Sequence, residues 1–251
     1  MDCESVEAKQ AIDICLLAGK MILQSGGETV RVEDTMMRLT SALGYPNAHS
    51  FVTPTVILFS IDGHEPNTRI FRISERSTDL RKLAEVNDIS RKIVEGGVRP
   101  EEAYERLKRL DEEKRSYPLA LQAAGAALVS GCFLIMFRGG WPDFIPAVLA
   151  GAAGYVAFVW IHRFVAVKFF AEFLAAFVLG AISRLFVYYG LGHDLDKIII
   201  GSVMPLVPGV LITNAVRDLM AGHLLSGTSK GAEAFLTAFA IGAGIALVLS
   251  I

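Results

Sequence analysis

The chain has 251 residues, 53% of them hydrophobic, and its 24 Lys and Arg against 26 Asp and Glu leave a formal charge of −2. That balance excludes the basic excess of a nucleic-acid-binding protein. The three cysteines, Cys3, Cys15 and Cys132, make neither a disulfide framework nor a metal-ligand pattern.

The charge is placed unevenly. Residues 1–115 hold 17 of the Lys and Arg and 20 of the Asp and Glu, and the rest hold 7 and 6. A polar first part therefore precedes an apolar second part. The expected fold is a five-helix transmembrane bundle (residues 117–251) preceded by a small cytoplasmic α+β domain (residues 1–116).

The first apolar run, Ala11 to Ala18, is short, contains Asp13 and follows Glu4 and Glu7, which is unlike a cleavable signal peptide. The N-terminal domain is thus expected to stay in the cytoplasm. Ala8, Ala11, Ile12, Cys15, Leu16, Ile22 and Leu23 recur at helical spacing and predict a first helix that stops at Gly26-Gly27. Val32, Met36, Leu39 and Leu43 predict a second, from Glu28 to Leu43, with Gly44 after it. Residues 50–61, rich in β-branched and aromatic side chains, read as one strand. Asp62-Gly63 reads as a turn and 68–73 as the return strand. Leu80, Leu83, Val86, Ile89 and Ile93 predict a third helix ending at Gly96-Gly97, and Pro100 opens a fourth that runs to Arg115.

Five apolar spans follow: 119–137, 144–161, 169–189, 198–212 and 234–251. Most approach the ~20 residues that a helix needs to cross a bilayer. Arg106, Lys108, Arg109, Lys114 and Arg115 before the first span, Arg163 and Lys168 after the second, and Arg217 and Lys230 after the fourth put positive charge on one side. This predicts a cytoplasmic N-terminus and an outer C-terminus. Small residues, among them Gly125, Gly151, Gly154, Gly242 and Gly244, suit close helix packing.

Several residues are candidates for transport chemistry. Pro205, Pro208 and Gly209 break the short fourth span, and broken helices at membrane depth line substrate sites in transporters. Asn214 and Asp218, four residues apart, share a helix face next to it. Arg217 and Lys230 read as topology anchors. Glu172 and Arg184 are ionisable groups within the third span. About 18 Å of helix rise separates these two, so they cannot pair with each other. His49, Ser50, Thr53, Asp62 and His64 cluster near the predicted hairpin, but no nucleophile-elbow or metal-ligand spacing supports a hydrolase there.

Four segments carry a resemblance. GGETVRVEDTMMRLTSALG, TPTVILFSIDG, DLRKLAEVNDISRKIVEGG and MPLVPGVLITNAVRDLMAGHLLSGTSKGAEA are similar, in order, to the threonine/serine exporter family. The last segment is the most specific, and within it Pro205, Pro208, Gly209, Asn214, Asp218 and Gly222 are the family-like positions. The resemblance implies a secondary exporter of small amino acids or related carboxylates in the inner membrane, not an enzyme. It also implies the family's split branch, in which a separate, smaller integral membrane subunit supplies the second membrane half. A homo-oligomer is the arrangement expected if five spans act alone. No cofactor is expected, and no Walker motif is present to bind ATP. Proton coupling is then expected, with Asp218 or Glu172 as the candidate titrating group and Arg184 facing a substrate carboxylate or a partner's carboxylate. Two other readings stay open: a membrane-anchored hydrolase using the N-terminal domain, and a regulatory or assembly subunit of a transporter.

Overall fold

The structure, a computed structural model, describes residues 3–62, 67–113, 117–165, 167 and 169–251. Its helices are α1 (Cys3–Gln24), α2 (Thr29–Ala42), α3 (Leu80–Val94), α4 (Pro100–Glu112), α5 (Leu119–Met136), α6 (Phe144–Phe164), α7 (Phe170–Tyr188), α8 (Leu195–Val203), α9 (Gly209–Met220) and α10 (Leu224–Ser250). The strands β1 (Ala48–Val52), β2 (Val56–Ile61) and β3 (Asn67–Arg72) lie between α2 and α3. The chain divides into two compact units. One is Met1–Lys114 with Val210–Ala232, and the other is Arg115–Gly209 with Glu233–Ile251.

In the first unit α1 is the central element. Ile12, Ile14, Cys15, Ala18, Met21 and Ile22 are wholly buried among residues of α2, α3, α4 and the sheet. At Gly19 a Cβ would stand 2.5 Å from Met36 Sδ, so glycine sets the close approach of α1 to α2. The sheet is an antiparallel meander in the order β1-β2-β3, with Ala48 opposite Ile61 and Val56 opposite Arg72. Ile57, Phe59 and Ile61 alternate inward along β2, as the period of a half-buried strand requires.

The single strand expected over 50–61 is in fact two. Pro54 has no N–H to give to a ladder. Thr53 N donates to Val56 O at 2.8 Å and Val56 N donates to Thr53 Oγ1 at 3.1 Å, which closes a hairpin turn. The expected Asp62-Gly63 turn runs into residues 63–66, outside the described residues. The fourth helix closes at Glu112 rather than Arg115.

The second unit is built on small residues. Cβ atoms at Gly151, Gly131, Gly154 and Gly244 would stand 1.9 Å from Ser130 Oγ, 2.6 Å from the Phe144 ring, 2.9 Å from Leu179 and 2.3 Å from Phe173 O. A larger residue would force the neighbouring side chains to shift at the first three and, at Gly244, the facing backbone itself. Gly125 and Gly242, by contrast, face open space. The short α8 is deeply enclosed, with Ile198, Ile199, Gly201, Ser202 and Val203 all buried, and it packs against α5, α6 and α7. Asp143, 3% exposed, accepts from the backbone N–H of His193 at 2.6 Å and so ties down the loop that leads into α8.

Among the described residues, four helical segments are long and apolar enough to cross a membrane: Leu119–Met136, Trp141–Phe164, Phe170–Tyr188 and Leu224–Ser250. Leu195–Leu206 and Gly209–Met220 pass the same test only as a broken pair, a discontinuous span or a re-entrant loop. The last helix begins ten residues before the 234–251 expected for it: no proline separates Leu224 from Ala234, and the helix runs through Gly227 and Gly231.

Candidate functional site

Two glycine-terminated helix ends in the first unit build the site. At the end of α1, Gly26 sits at φ +84°, with Gly26 N bonded to Leu23 O and Gly27 N to Ile22 O at 2.9 Å. This left-handed terminator leaves the carbonyls of Gly26 and Gly27 free to accept bonds from elsewhere. Glu28 precedes α2 without a side-chain cap, so the first N–H groups of α2 need partners as well. At the end of α9 the same motif recurs. Gly222 takes φ +87°, its N–H bonds to Leu219 O, and His223 N bonds to Asp218 O at 2.9 Å. Beyond that turn, a Cβ on Gly227 would meet Leu219 at 2.6 Å, so α10 starts in close contact with α9.

Asp218 joins these ends. Its Oδ1 accepts from Thr29 N at 3.0 Å, and its Oδ2 accepts from Thr29 Oγ1 at 2.9 Å and from Lys230 Nζ at 2.7 Å. The carboxylate thus caps the N-terminus of α2 from a distant part of the chain, where the helix dipole favours negative charge. Asp218 is 0% exposed and Lys230 3%. Lys230 Nζ also donates to Gly27 O and Thr29 Oγ1, both at 3.3 Å. A buried ion pair is tolerated only when its remaining donors and acceptors are met, and here they are.

Other contacts surround the pair. Asn214 Nδ2 donates to Gly26 O at 2.7 Å, and Arg217 pairs with Glu28. Glu33 accepts from Val52 N at 2.9 Å and lies 3.8 Å from His223 Nε2, while Ser226 Oγ donates to Val52 O at 3.2 Å.

Of the residues singled out in the sequence, Asn214 and Asp218 meet here. Arg217 is an ion-pair partner and Lys230 the buried counterion, where both had read as topology anchors. Thr29 carried no signal of its own, although it lies in the GGET segment. Pro205 falls in a 3-10 turn, Met204–Leu206, and Pro208 and Gly209 follow at the break before α9.

Arg184 and Glu172 lie in the second unit. Arg184 Nη1 donates to Val248 O at 2.8 Å, near the end of α10, and the side chain lines a largely apolar cavity of about 400 Å³ with Phe177, Tyr188 and Ile251. Glu172 stands in the first turn of α7, and its Oε2 is buried without a hydrogen-bond partner among the described residues. Around the hairpin, His49 Nε2 is 3.5 Å from Asp62 in an exposed pair, the Thr53 hydroxyl is spent on its turn, and His64 lies outside the described residues. Cys15 Sγ is 3.3 Å from Thr40 Oγ1, and burial pushes its thiol up to about 12 from 9.0.

Comparison with known proteins identifies the family. Residues 13–251 match the family described as "Putative threonine/serine exporter". A "Probable threonine/serine exporter" of Mycobacterium tuberculosis is 24% identical over 94% of this chain, which spans only 45% of that relative. Two proteins named "Probable succinate transporter subunit YjjP" are matched almost end to end. The one from Klebsiella aerogenes is 26% identical over 100% of this chain and 97% of its own length, and the one from Escherichia coli is 27% identical over 95% and 93%. No solved structure matches the chain. The family's members are exporters rather than enzymes, which removes the hydrolase reading. With apolar helices long enough to span a bilayer and a family match over nearly its whole length, the chain is a multi-pass membrane protein that belongs to the threonine/serine exporter family.

Proposed function

We propose that this chain is one subunit of a secondary exporter of small amino acids, threonine- or serine-like, or of small carboxylates. It works in the inner membrane with a separate, smaller membrane subunit. The relatives that it matches almost end to end are named as transporter subunits, which supports a second membrane half supplied in trans.

The observation that carries the reading is the hold of Asp218 and Lys230 on Thr29. It keeps the α9–α10 turn on the same side of the membrane as the N-terminal domain. If α5, α6 and α7 each cross once, the chain leaves α7 on the opposite side. The stretch from residue 190 to the α9–α10 turn must then cross back, and α10 must cross once more. That parity supports five crossings, with residues 1–116 as a cytoplasmic domain, 117–251 as the membrane domain and the C-terminus outside. Positive charge before α5 and after α6 supports the same orientation. The returning segment is short. α8 and its 3-10 turn, Leu195–Leu206, rise about 18 Å at 1.5 Å per residue, so the break at Pro205, Pro208 and Gly209 falls at membrane depth. Irregular backbone there has to be surrounded by protein or by a water-filled path.

Roles follow from this arrangement. The broken segment lines the substrate path, and Arg184 meets the substrate carboxylate with the donors that Val248 leaves unused. Asn214 and Asp218 anchor the cytoplasmic end of the path to the domain. Both Asp218 oxygens are engaged, so we assign proton exchange to Glu172, whose Oε2 has no bond to give up. Efflux of preloaded labelled threonine, serine and succinate from cells lacking their own exporters tests this, with the chain expressed alone and beside its partner. Export only with both is expected. Export by the chain alone would disprove the two-subunit reading, and no export with both proteins in the membrane would disprove the exporter. Glu172→Gln should abolish the dependence of efflux on external pH.

A further inference from the structure

Away from the Asp218 site, α2 and α3 leave a cleft of about 390 Å³ in the first unit, lined by Arg31, Asp34, Arg38, Asn87, Ser90 and Arg91 among others. Helical spacing puts Arg31, Asp34 and Arg38 on one face of α2, and Asn87, Ser90 and Arg91 on one face of α3. Three arginines therefore line one small space, and its single acidic residue, Asp34, is already committed to Arg38 at 2.9 Å. Arg91 has no carboxylate partner among the described residues. Arg31 has only a distant one, Glu28 at 3.8 Å, which is itself paired with Arg217. Guanidiniums brought together in this way repel one another unless an anion joins them. Their planar forks match the paired oxygens of a carboxylate or phosphate, and the volume suits a small molecule.

We propose that this cleft is a binding site for a small oxyanion, a carboxylate or a phosphate, held by Arg31 and Arg91 with Arg38 beside them. The site stands one residue contact from the Asp218 tether. An anion that engages Arg31 competes with Glu28 for it, and Glu28 immediately precedes Thr29. The soluble domain would then sense a cytoplasmic anion next to the joint that holds the α9–α10 turn.

The test is calorimetric titration of the full chain in nanodiscs of zwitterionic lipid, with sodium succinate, sodium phosphate and, at matched ionic strength, sodium chloride. Saturable binding of succinate or phosphate is expected, on the order of millimolar or tighter. It should weaken at least tenfold in the Arg31→Gln, Arg91→Gln double variant and recover in part when both are Lys. Both side chains are on the surface, so the variants fold. Binding of succinate alone, or of phosphate alone, names the oxyanion. Heats equal to those of chloride for both ligands, or unchanged binding in the double Gln variant, would overturn the proposal. Neither result depends on transport.

Discussion

The Asp218 cluster of the first unit and the Arg184 cavity of the second are both charged sites in an apolar setting, yet they are built by opposite means. Around Asp218 both carboxylate oxygens are bonded, and the partners come from a helix N-terminus, a hydroxyl and a buried ammonium. Among the described residues Arg184 makes one bond, to the Val248 carbonyl, and it lines a space large enough for a small solute. A group with its bonding complete holds parts of the chain together. A group with donors unspent can take a ligand. By this criterion we propose Asp218 as a joint and Arg184 as a binding group, although as isolated letters in an apolar half both look like transport residues.

The sharpest way to break the comparison is to strip the joint of its counterion. Lys230→Ala strands a buried carboxylate and should cost about 3–5 kcal/mol, read as a lower melting temperature of the purified full chain. Adding Asp218→Leu should return part of that loss, because an apolar side chain there is less costly than an unpaired charge even though Thr29 loses its two bonds to the carboxylate. A double-variant loss equal to the sum of the Lys230→Ala and Asp218→Leu losses would mean that the pair is not coupled. Thr29→Val comes next. It removes the hydroxyl to Oδ2 but keeps the backbone N–H to Oδ1, and a hydrogen bond to a charged group contributes about 1.5–3 kcal/mol. Hydrogen exchange at the start of α2 should quicken, while exchange in α5 and α6 stays as before.

Arg184→Gln should cost less stability, about 1 kcal/mol or below, since Gln can still donate to a carbonyl. Its effect belongs to transport. With protein levels in the membrane unchanged, efflux of a carboxylate substrate should fall at least tenfold. Unchanged efflux would reduce Arg184 to a cap on the last turn of α10.

Much of this architecture is written locally. Charge density divides a polar first part from an apolar second one, helical periodicity marks α1 to α4, and Pro205-Leu206-Val207-Pro208-Gly209 marks the break before α9. The partners of Asp218 are not written locally. Lys230 is 12 residues away, across a turn that Gly222 makes possible, and Thr29 is 189 residues away. No spacing rule reaches that far, so Lys230 reads as an interfacial anchor and Thr29 as the start of an ordinary helix. The same limit hides the allegiance of Val210–Ala232. Its composition suits a membrane segment, but its polar side chains pack in the first unit. The split strand has a local cause, Pro54, which the β-branched run around it outweighs in a composition-based reading.

The smallest effect concerns Cys15, which belongs to the first unit's core and to neither charged site. Burial raises its thiol from 9.0 to about 12, and the hydrogen bond with Thr40 only partly opposes that. The folded state therefore keeps the proton over a range in which the unfolded chain releases it. Below pH 9 both states are protonated and the group has no influence on the pH dependence of stability. Between pH 9 and 12 the unfolded chain binds fewer protons, so stability falls as pH rises. Lysines and tyrosines titrate in the same window, so the comparison has to be with Cys15→Ala. That variant loses a constant amount of packing at every pH but should show a shallower decline of melting temperature above pH 9. Parallel declines would mean that Cys15 is open to water in the folded state, and that the core around α1 is looser than its burial indicates.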